Sequence, residues 1–164
     1  MTSLASEYGP IEAALADLES ILGQRVNRSA DVRRQHGKDE GWHPPVSPEA
    51  VVFPDSTDEV AEIVRVCARH RVPLVPFGAG TSLEGGVAAL HGGISVDMNG
   101  MDRIVEVNDA DLDCTVEAGV RRKALNDRLG RRGLFFPIDP GADTTIGGMA
   151  STRASGTNAV RYGT

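Results

Sequence analysis

The chain has no long apolar run, no excess of basic residues and only two cysteines. Its 164 residues contain no run of about 18 apolar residues, so we expect no transmembrane segment. A net charge of −6 lacks the basic footprint that nucleic-acid binding requires, so we expect no nucleic-acid partner. Residues 1–20 contain no lysine or arginine, which argues against a secretory signal or a mitochondrial transit peptide. Together these absences predict a cytoplasmic protein.

The two cysteines, Cys67 and Cys114, both lie in apolar patterns that predict buried side chains. Buried free thiols are typical of proteins from a reducing compartment. A catalytic cysteine is allowed in principle, but nothing electropositive stands directly beside either residue to favour it. A chain of this length with 40% hydrophobic residues can form one domain with its own core.

Apolar spacing predicts three helices and several short strands. Apolar residues recur at helical spacing over residues 11–22 and 60–68, and Gly23 stands where the first helix should end. Ser56 opens a capping box before the second helix. A third helix is predicted over residues 120–129. The runs that favour strands are Val51–Phe53, Leu74–Phe77, Ile94–Asp97, Ile104–Val107 and Cys114–Glu117.

Residues 27–50 are polar and rich in proline, so we predict an irregular segment there. Within it, His36, Asp39 and His43 invite interpretation as a metal site. Their spacing matches no common zinc pattern and no cysteine joins them, so we predict no metal.

A glycine-rich loop follows the strand–helix–strand pattern of residues 51–77, which predicts a βαβ unit. Positive φ at glycine lets successive N–H groups converge, and the missing side chain lets a phosphate approach the backbone. A loop at the carboxyl end of such a strand is typical of an anion nest that holds a diphosphate. The alternative is a glycine-rich surface turn. The predicted contacts are Pro76, Phe77, Gly78, Ala79, Gly80, Thr81, Ser82, Gly85 and Gly86.

The spacing of this loop excludes two familiar phosphate-binding motifs. Gly86 is followed by Val87 and Ala88, whereas a Walker loop needs lysine and then serine or threonine there. Leu83 stands where a Rossmann fingerprint requires its third glycine.

A second segment, residues 135–158, is also rich in glycine and small hydroxylated residues. Phe135, Phe136 and Met149 are apolar anchors that a low-complexity linker would lack. Such a segment is either a mobile loop or backbone wrapped closely around a ligand.

Both segments resemble the FAD-contacting segments of the vanillyl-alcohol-oxidase-type flavin enzymes. The pattern Pro-x-Gly-x-Gly-Thr-Ser followed by Gly-Gly, at residues 76–86, is similar to their diphosphate loop, and residues 135–158 are similar to their second segment. From about residue 30 onwards the chain resembles the family of FAD-linked D-lactate dehydrogenase and the glycolate oxidase D subunit. The segments that carry this closer resemblance are residues 34–40, Pro54, residues 101–104, residues 122–126 and residues 154–164.

The resemblance implies an α+β fold made of α/β-type subdomains. It implies a PCMH-type FAD-binding domain over residues 49–164, with an N-terminal βαβ subdomain and an incomplete C-terminal end. Residues 1–48 would be an N-terminal helix and an irregular lead-in. Residues 76–82 would hold the diphosphate of FAD, and the second segment would run along the flavin and close over it. The implied contacts there are Asp139, Pro140, Gly141, Ala142, Asp143, Thr144, Thr145, Gly147, Gly148, Thr152, Arg153, Ala154 and Ser155. The glycine loop lacks the histidine through which some relatives attach the flavin, so noncovalent FAD is expected.

The resemblance also implies an enzyme that oxidises a small D-2-hydroxy acid, of the D-lactate or glycolate type, to the 2-oxo acid. The alternatives are another FAD-linked oxidase, such as an alkylglycerone-phosphate-synthase-like enzyme, and a non-catalytic FAD-binding remnant. Family members continue into a substrate-capping domain, so the catalytic residues are expected beyond Thr164 and this chain alone should be inactive. The longer protein is expected to be cytoplasmic or peripheral to the inner membrane, and the sequence identifies no electron acceptor or oligomeric state.

Overall fold

The computed structural model describes residues 8–164, which form two compact units. The first unit ends at Asp97, and the second runs from Met98 to Thr164. The elements of the first unit are α1 (Ile11–Leu22), β1 (Val26–Asn27), α2 (Ala30–His36), β2 (Ala50–Val52), α3 (Thr57–His70), β3 (Leu74–Phe77) and β4 (Ile94–Asp97). Those of the second are β5 (Ile104–Asn108), β6 (Asp113–Val116), α4 (Arg122–Gly130), α5 (Ile146–Thr152) and α6 (Ala159–Tyr162). Both units mix helices with strands, as the sequence predicts.

The sheet of the first unit has the strand order β1-β2-β4-β3. β1 pairs antiparallel with β2, whereas β2 and β3 each pair parallel with β4. The predicted βαβ unit is therefore split, because α3 joins two parallel strands that have β4 between them. In the register of β3 and β4, the last residues of both strands, Phe77 and Asp97, are paired.

The predicted signals at the ends of α1 and α3 are confirmed. α1 is followed by Gly23 at a φ of 58°, and Ser56 Oγ accepts a hydrogen bond from the Glu59 N–H at 3.2 Å. The Glu59 carboxylate accepts the Asp55 N–H at 2.7 Å and forms an ion pair with Arg25 at 2.6 Å. The buried faces of the two helices consist of Ala14, Leu15, Leu18 and Leu22 in α1 and Ile63, Val66 and Cys67 in α3.

The prediction that residues 27–50 are irregular is wrong for α2, for the last residue of β1 and for the first residue of β2. Ser29 caps α2, with its Oγ accepting the Val32 N–H at 3.4 Å. Arg33 Nε donates to the Pro48 carbonyl at 2.6 Å and so ties α2 to the residues just before β2. A seven-residue helix is too short to be stable alone or to show a clear apolar period, so contacts elsewhere in the unit determine it.

The core of the second unit consists of Val120, Leu125 and Leu129. β5 and β6 form an antiparallel pair, and their partly buried residues pack against this core. The Asn126 side chain accepts the Phe136 N–H at 2.7 Å and donates to the Phe136 carbonyl at 3.3 Å. The predicted strands and helix of this unit are confirmed to within about two residues at their ends.

The two cysteines differ in their burial. Cys67 is buried as predicted, and burial raises the pKa of its thiol to about 11. Cys114 is only half-buried, because β6 alternates exposed and half-buried residues. Within residues 8–164 we find no helix with the length and apolar character needed to cross a membrane.

Candidate functional site

The glycine-rich loop begins where β3 ends, at the carboxyl end of the parallel strands. Pro76 and Phe77 are the last residues of β3, and residues 78–82 are neither helix nor strand. Gly80 and Gly85 have φ values of 68° and 76°, in the left-handed region that favours glycine. The loop therefore has the position and the backbone conformation that the sequence predicts for an anion nest.

Four successive backbone N–H groups in this loop have no hydrogen-bond acceptor in the described part of the chain. They belong to Ala79, Gly80, Thr81 and Ser82, all of which are half-buried. Unpaired N–H groups at partly buried positions are unfavourable unless solvent or a ligand accepts them. Consecutive N–H groups around a glycine of positive φ are suited to an anion. These residues fit the diphosphate of FAD.

Gly80 is packed against the ring of Phe77. A Cβ at Gly80 would lie 2.9 Å from Phe77 Cζ and 3.3 Å from its Cε2. Glycine is therefore required at this position for space as well as for φ. Gly86 differs, because a Cβ there would meet only Ser82 Oγ, at 3.7 Å.

Residues 38–41 border the glycine loop, which sequence reasoning did not predict. The Glu40 N–H donates to the Ser82 carbonyl at 3.1 Å. A Cβ at Gly41 would lie 2.7 Å from the Leu83 carbonyl oxygen, so the two backbones are in direct contact. In the sequence, residues 34–40 stand out only for their resemblance to the D-lactate dehydrogenase and glycolate oxidase family. That resemblance does not show that the segment contacts the loop.

Ser82 is one of the predicted contact residues, but its hydroxyl is bonded within the loop. It donates to Glu84 Oε2 at 2.8 Å, and the Leu83 N–H donates to the same oxygen at 3.1 Å. The bond from Ser82, followed by the backbone N–H groups, lowers the pKa of Glu84. The Glu84 carboxylate thus takes two donors at the edge of the nest and would compete with a phosphate for them.

A buried histidine and aspartate lie directly behind the loop. His36, the last residue of α2, has its Nε2 2.8 Å from Asp97 Oδ2 and its Nδ1 2.8 Å from the Val32 carbonyl oxygen. Its ring packs on Phe77 with the centroids 4.3 Å apart. Burial lowers the pKa of His36, but the hydrogen bonds to Asp97 and Val32 outweigh it and raise the pKa overall. Among residues 8–164, no three His, Cys, Asp or Glu side chains are grouped so as to hold a metal ion.

In the second unit, Asp139 ties two parts of the second segment together. Its Oδ2 accepts the Thr157 hydroxyl at 2.6 Å, and its Oδ1 accepts the Asn158 N–H at 2.9 Å. These bonds, with that from Thr157 the stronger, lower the pKa of Asp139. Gly156 lies so close to Asp139 that there is no room for a Cβ. The carboxylate is an anchor of this segment.

Asp143 and Thr145 also have partners inside the second unit. Asp143 Oδ1 accepts the Lys123 N–H at 3.0 Å at the start of α4. Thr145 Oγ1 accepts the Gly148 N–H at 3.2 Å at the start of α5. Thr144 lies between them, and its buried Oγ1 has no hydrogen-bond partner among the described residues.

α5 packs closely on Ala118 and is followed by Arg153. A Cβ at Gly147 would lie 2.8 Å from Ala118 Cβ, and the Gly147 N–H donates to the Ala118 carbonyl at 2.8 Å. The Thr152 hydroxyl donates to the carbonyl four residues earlier at 3.0 Å. Arg153 is exposed, has a φ of 48°, and donates from its Nε to Thr164 Oγ1 at 3.3 Å.

The remaining predicted residues of the second segment lie in loops of the second unit. Pro140, Ala142 and Ala154 are half-buried, and Gly141 and Ser155 are exposed. A Cβ at Gly141 would have no atom within 4 Å. The contact of both segments with one FAD stays a prediction.

Comparison with known proteins gives one family match, two similar sequences and one similar solved structure. Residues 48–164 match the family model described as an FAD binding domain. The chain is 48% identical over 161 residues to a probable mitochondrial D-lactate dehydrogenase of Danio rerio, which covers 98% of this chain and 32% of that protein. It is 37% identical over 118 residues to glycolate oxidase subunit GlcD of Bacillus subtilis, covering 71% of this chain and 25% of that protein. A solved alkyldihydroxyacetonephosphate synthase matches with a TM-score of 0.83 at 21% identity, covering 92% of this chain and 30% of that one.

These matches confirm the predicted fold class and cofactor. The synthase, at 21% identity, supports the fold alone. The chain spans about a quarter to a third of the length of the two relatives. The Danio rerio relative is named as mitochondrial, which does not agree with the cytoplasmic location predicted from the sequence. Since the family model matches more than half of its residues, the chain belongs to the family of FAD-binding domains.

Proposed function

We propose that the chain is the FAD-binding part of a longer flavin-dependent oxidoreductase that oxidises a D-2-hydroxy acid to the 2-oxo acid. The names of two relatives support this substrate class, because D-lactate and glycolate are both 2-hydroxy acids. The observation that carries the proposal is the row of unpaired N–H groups after β3.

In this proposal the N–H groups of residues 79–82 hold the diphosphate of FAD, with the Thr81 hydroxyl as a further donor. A hydrogen bond to a charged group contributes about 1.5–3 kcal/mol. Four of them would supply a large part of the affinity of a nanomolar ligand, which is about 12 kcal/mol. Pro76, Phe77 and Gly78 fix the start of the loop, while Gly85 and Gly86 complete it.

For the second segment we propose two kinds of role. Pro140, Gly141, Ala142 and Thr144 contact the ribityl and flavin parts, and Arg153, Ala154 and Ser155 close over the cofactor. The other predicted residues hold these in place, because their polar groups or backbones are already bonded within the second unit; they are Asp139, Asp143, Thr145, Gly147, Gly148 and Thr152.

FAD, when bound, supplies the redox chemistry by accepting the hydride that the hydroxy acid loses. The residues of this chain bind and orient the cofactor. We assign no base and no carboxylate-binding residue to residues 8–164, and we propose that these groups belong to the rest of the longer protein.

We propose that FAD is bound noncovalently. The sequence has no histidine between Pro76 and Leu90. The nearest histidines on either side of this stretch have other partners: His70 Nε2 lies 2.8 Å from Asp17 Oδ2, and the His91 ring lies tilted against Tyr8 with the centroids 5.6 Å apart. A cytoplasmic location remains our prediction from the sequence, and a mitochondrial one is the alternative that the Danio rerio relative suggests.

The diphosphate role is tested by titrating the chain with FAD, followed by flavin fluorescence, and by competition with ADP and AMP. ADP offers a diphosphate to the same N–H groups, so we expect it to displace FAD at concentrations about tenfold or more below those of AMP. Equal competition by ADP and AMP, or no binding of FAD, would contradict the assignment.

The substrate class is tested with D-lactate, glycolate and L-lactate, with a dye as electron acceptor. We expect the longer protein to reduce the dye with a D-2-hydroxy acid, and the 164-residue chain to give no reduction above the free-flavin blank. The reason is that hydride transfer requires a substrate fixed close to the flavin. Reduction by the chain alone, lost on Gly80→Val, would show that it holds a complete active site. No oxidation of any 2-hydroxy acid by the longer protein would favour another oxidase or a non-catalytic remnant.

A further inference from the structure

A buried His–Asp pair joins three elements immediately behind the glycine-rich loop. His36 ends α2, Asp97 ends β4, and Phe77 ends β3 as the register partner of Asp97. His36 bonds to Asp97 at 2.8 Å, and its ring lies tilted against that of Phe77 with the centroids 4.3 Å apart. The side chains of His36 and Asp97 are 8% and 11% exposed, so water has little access to the bond between them.

The geometry of this pair requires a shared proton. The Val32 carbonyl can only accept, so His36 Nδ1 carries a hydrogen. The bond between His36 Nε2 and Asp97 Oδ2 then needs one more proton, on either atom. Loss of one proton would leave a neutral ring with a single N–H, so His36 would keep only one of its two hydrogen bonds, to Asp97 or to the Val32 carbonyl, and the other would be lost in a buried site.

The pair contacts the loop by two routes. Phe77 supports Gly80, whose Cβ position is 2.9 Å from the ring. The residues that follow α2 also reach the loop, because the Glu40 N–H donates to the Ser82 carbonyl at 3.1 Å. Movement of His36 therefore affects both the Phe77 ring under Gly80 and the segment that bonds to Ser82.

We propose that His36, held by Asp97, is a positioning residue for the glycine-rich loop. With the shared proton present, α2 and Phe77 are fixed and the loop keeps the conformation in which its N–H groups are available. When the proton is lost at higher pH, the loop loosens. Asp97 is the charged side chain in contact with the ring, Phe53 and Phe77 are its uncharged ring neighbours, and Lys38 and Asp39 are the titratable residues that follow on the chain. The consequence for FAD rests on the proposed function, whereas the effect on the loop does not.

The Glu40 amide is a reporter of loop docking that needs no cofactor. Its hydrogen-exchange protection factor, measured by NMR on the chain, reports the bond to Ser82. We expect His36→Gln to lower this protection about tenfold, the effect of losing one net hydrogen bond. The matched control is His70→Gln, because His70 Nε2 is also 2.8 Å from an aspartate, Asp17, but joins α3 to α1. An equal effect of the two variants on Glu40, or no effect of His36→Gln, would overturn the proposal.

The pH dependence of Glu40 protection distinguishes positioning by His36 from a general loss of packing. This measurement uses the unchanged chain, so it can be made even if His36→Gln does not fold. In the unchanged chain, Glu40 protection should fall as pH rises through the pKa of His36, read from its ring resonances. Asp97→Asn should remove this step, because the asparagine amide can donate to neutral Nε2. A step that persists in Asp97→Asn would refute the role of the pair.

A parallel FAD titration links the pair to binding. FAD affinity that falls about tenfold over the same pH step, and does not fall in Asp97→Asn, supports the positioning role in cofactor binding. A fall in Glu40 amide protection with rising pH, without a change in FAD affinity, would overturn the role in cofactor binding. No FAD binding at any pH would instead refute the proposed function and leave the result for the loop intact.

Discussion

Replacing Gly80 by valine should abolish FAD binding while both units stay folded. Gly80 has a φ of 68°, and the left-handed conformation costs a residue with a side chain about 1–2 kcal/mol. The new Cβ would also lie 2.9 Å from Phe77 Cζ, and such overpacking costs about 1–3 kcal/mol. The summed cost of the two effects is about 2–5 kcal/mol, and both effects act within one half-buried loop. We therefore expect the loop to change conformation and the helices and sheet to remain.

The effect on affinity follows from the N–H groups that the loop would lose. If two of the four groups of residues 79–82 no longer point to the diphosphate, the loss is about 3–6 kcal/mol. Each 1.4 kcal/mol is about a factor of ten, so the Kd should rise by more than about a hundredfold.

A matched control separates this effect from backbone strain. Gly133 has a φ of 73° and no atom within 4 Å of its Cβ position, and it lies outside both glycine-rich segments used for the site prediction. Gly133→Val should lower the midpoint of thermal unfolding slightly and leave FAD affinity unchanged. Circular dichroism and a flavin fluorescence titration measure both quantities. If Gly80→Val bound FAD as tightly as Gly133→Val, the loop would be only a surface turn.

Three further perturbations follow from the described contacts. Glu84→Gln removes a charge that competes with phosphate for the Ser82 hydroxyl, so FAD should bind about tenfold more tightly; unchanged affinity in the same titration would exclude competition by Glu84. Arg25 lowers the pKa of Glu59 from 4.5 to about 2, so the stability that this pair provides is complete above pH 4.5 and is lost as pH falls towards 2. Acid unfolding followed by circular dichroism should show this loss, and Glu59→Gln should flatten that part of the curve. Acid precipitation of the FAD-loaded protein should release the flavin to the supernatant, and colour that stays with the pellet would contradict noncovalent binding.

The elements that the sequence predicts well are those with local signals. Ser56 and Gly23 mark helix ends through bonds or dihedral angles within a few residues, and their helices are found where predicted. α2 has no such pattern beyond its cap. It is held by contacts such as that between His36 and Asp97, which are 61 positions apart, so sequence spacing could not reveal it. The insertion of β4 between β2 and β3 is likewise a matter of pairing between distant strands.

Within the candidate site, the sequence predicts the backbone better than it predicts the side chains. Glycine content and the preceding strand were sufficient to predict a loop with positive φ. A polar residue in a glycine-rich segment can either contact a ligand or hold the segment in shape, and composition does not separate these roles. Asp139 and Asp143 have structural partners in Thr157 and Lys123, which the order of residues could not indicate.

The division between side-chain and backbone donors indicates which groups of the loop the proposed diphosphate site would use. The Ser82 hydroxyl is already bonded to Glu84, whereas the N–H groups of residues 79–82 have no acceptor among residues 8–164. In the proposed site, anion binding therefore depends on the backbone conformation of the loop, and that conformation depends on the packing of Gly80 against Phe77. Because Phe77 is the register partner of Asp97, the conformation is fixed at the point where β3 and β4 both end. We therefore expect substitutions of exposed side chains in the loop to reduce FAD affinity less than substitutions of Phe77 or Asp97, although neither of these two side chains would contact the ligand.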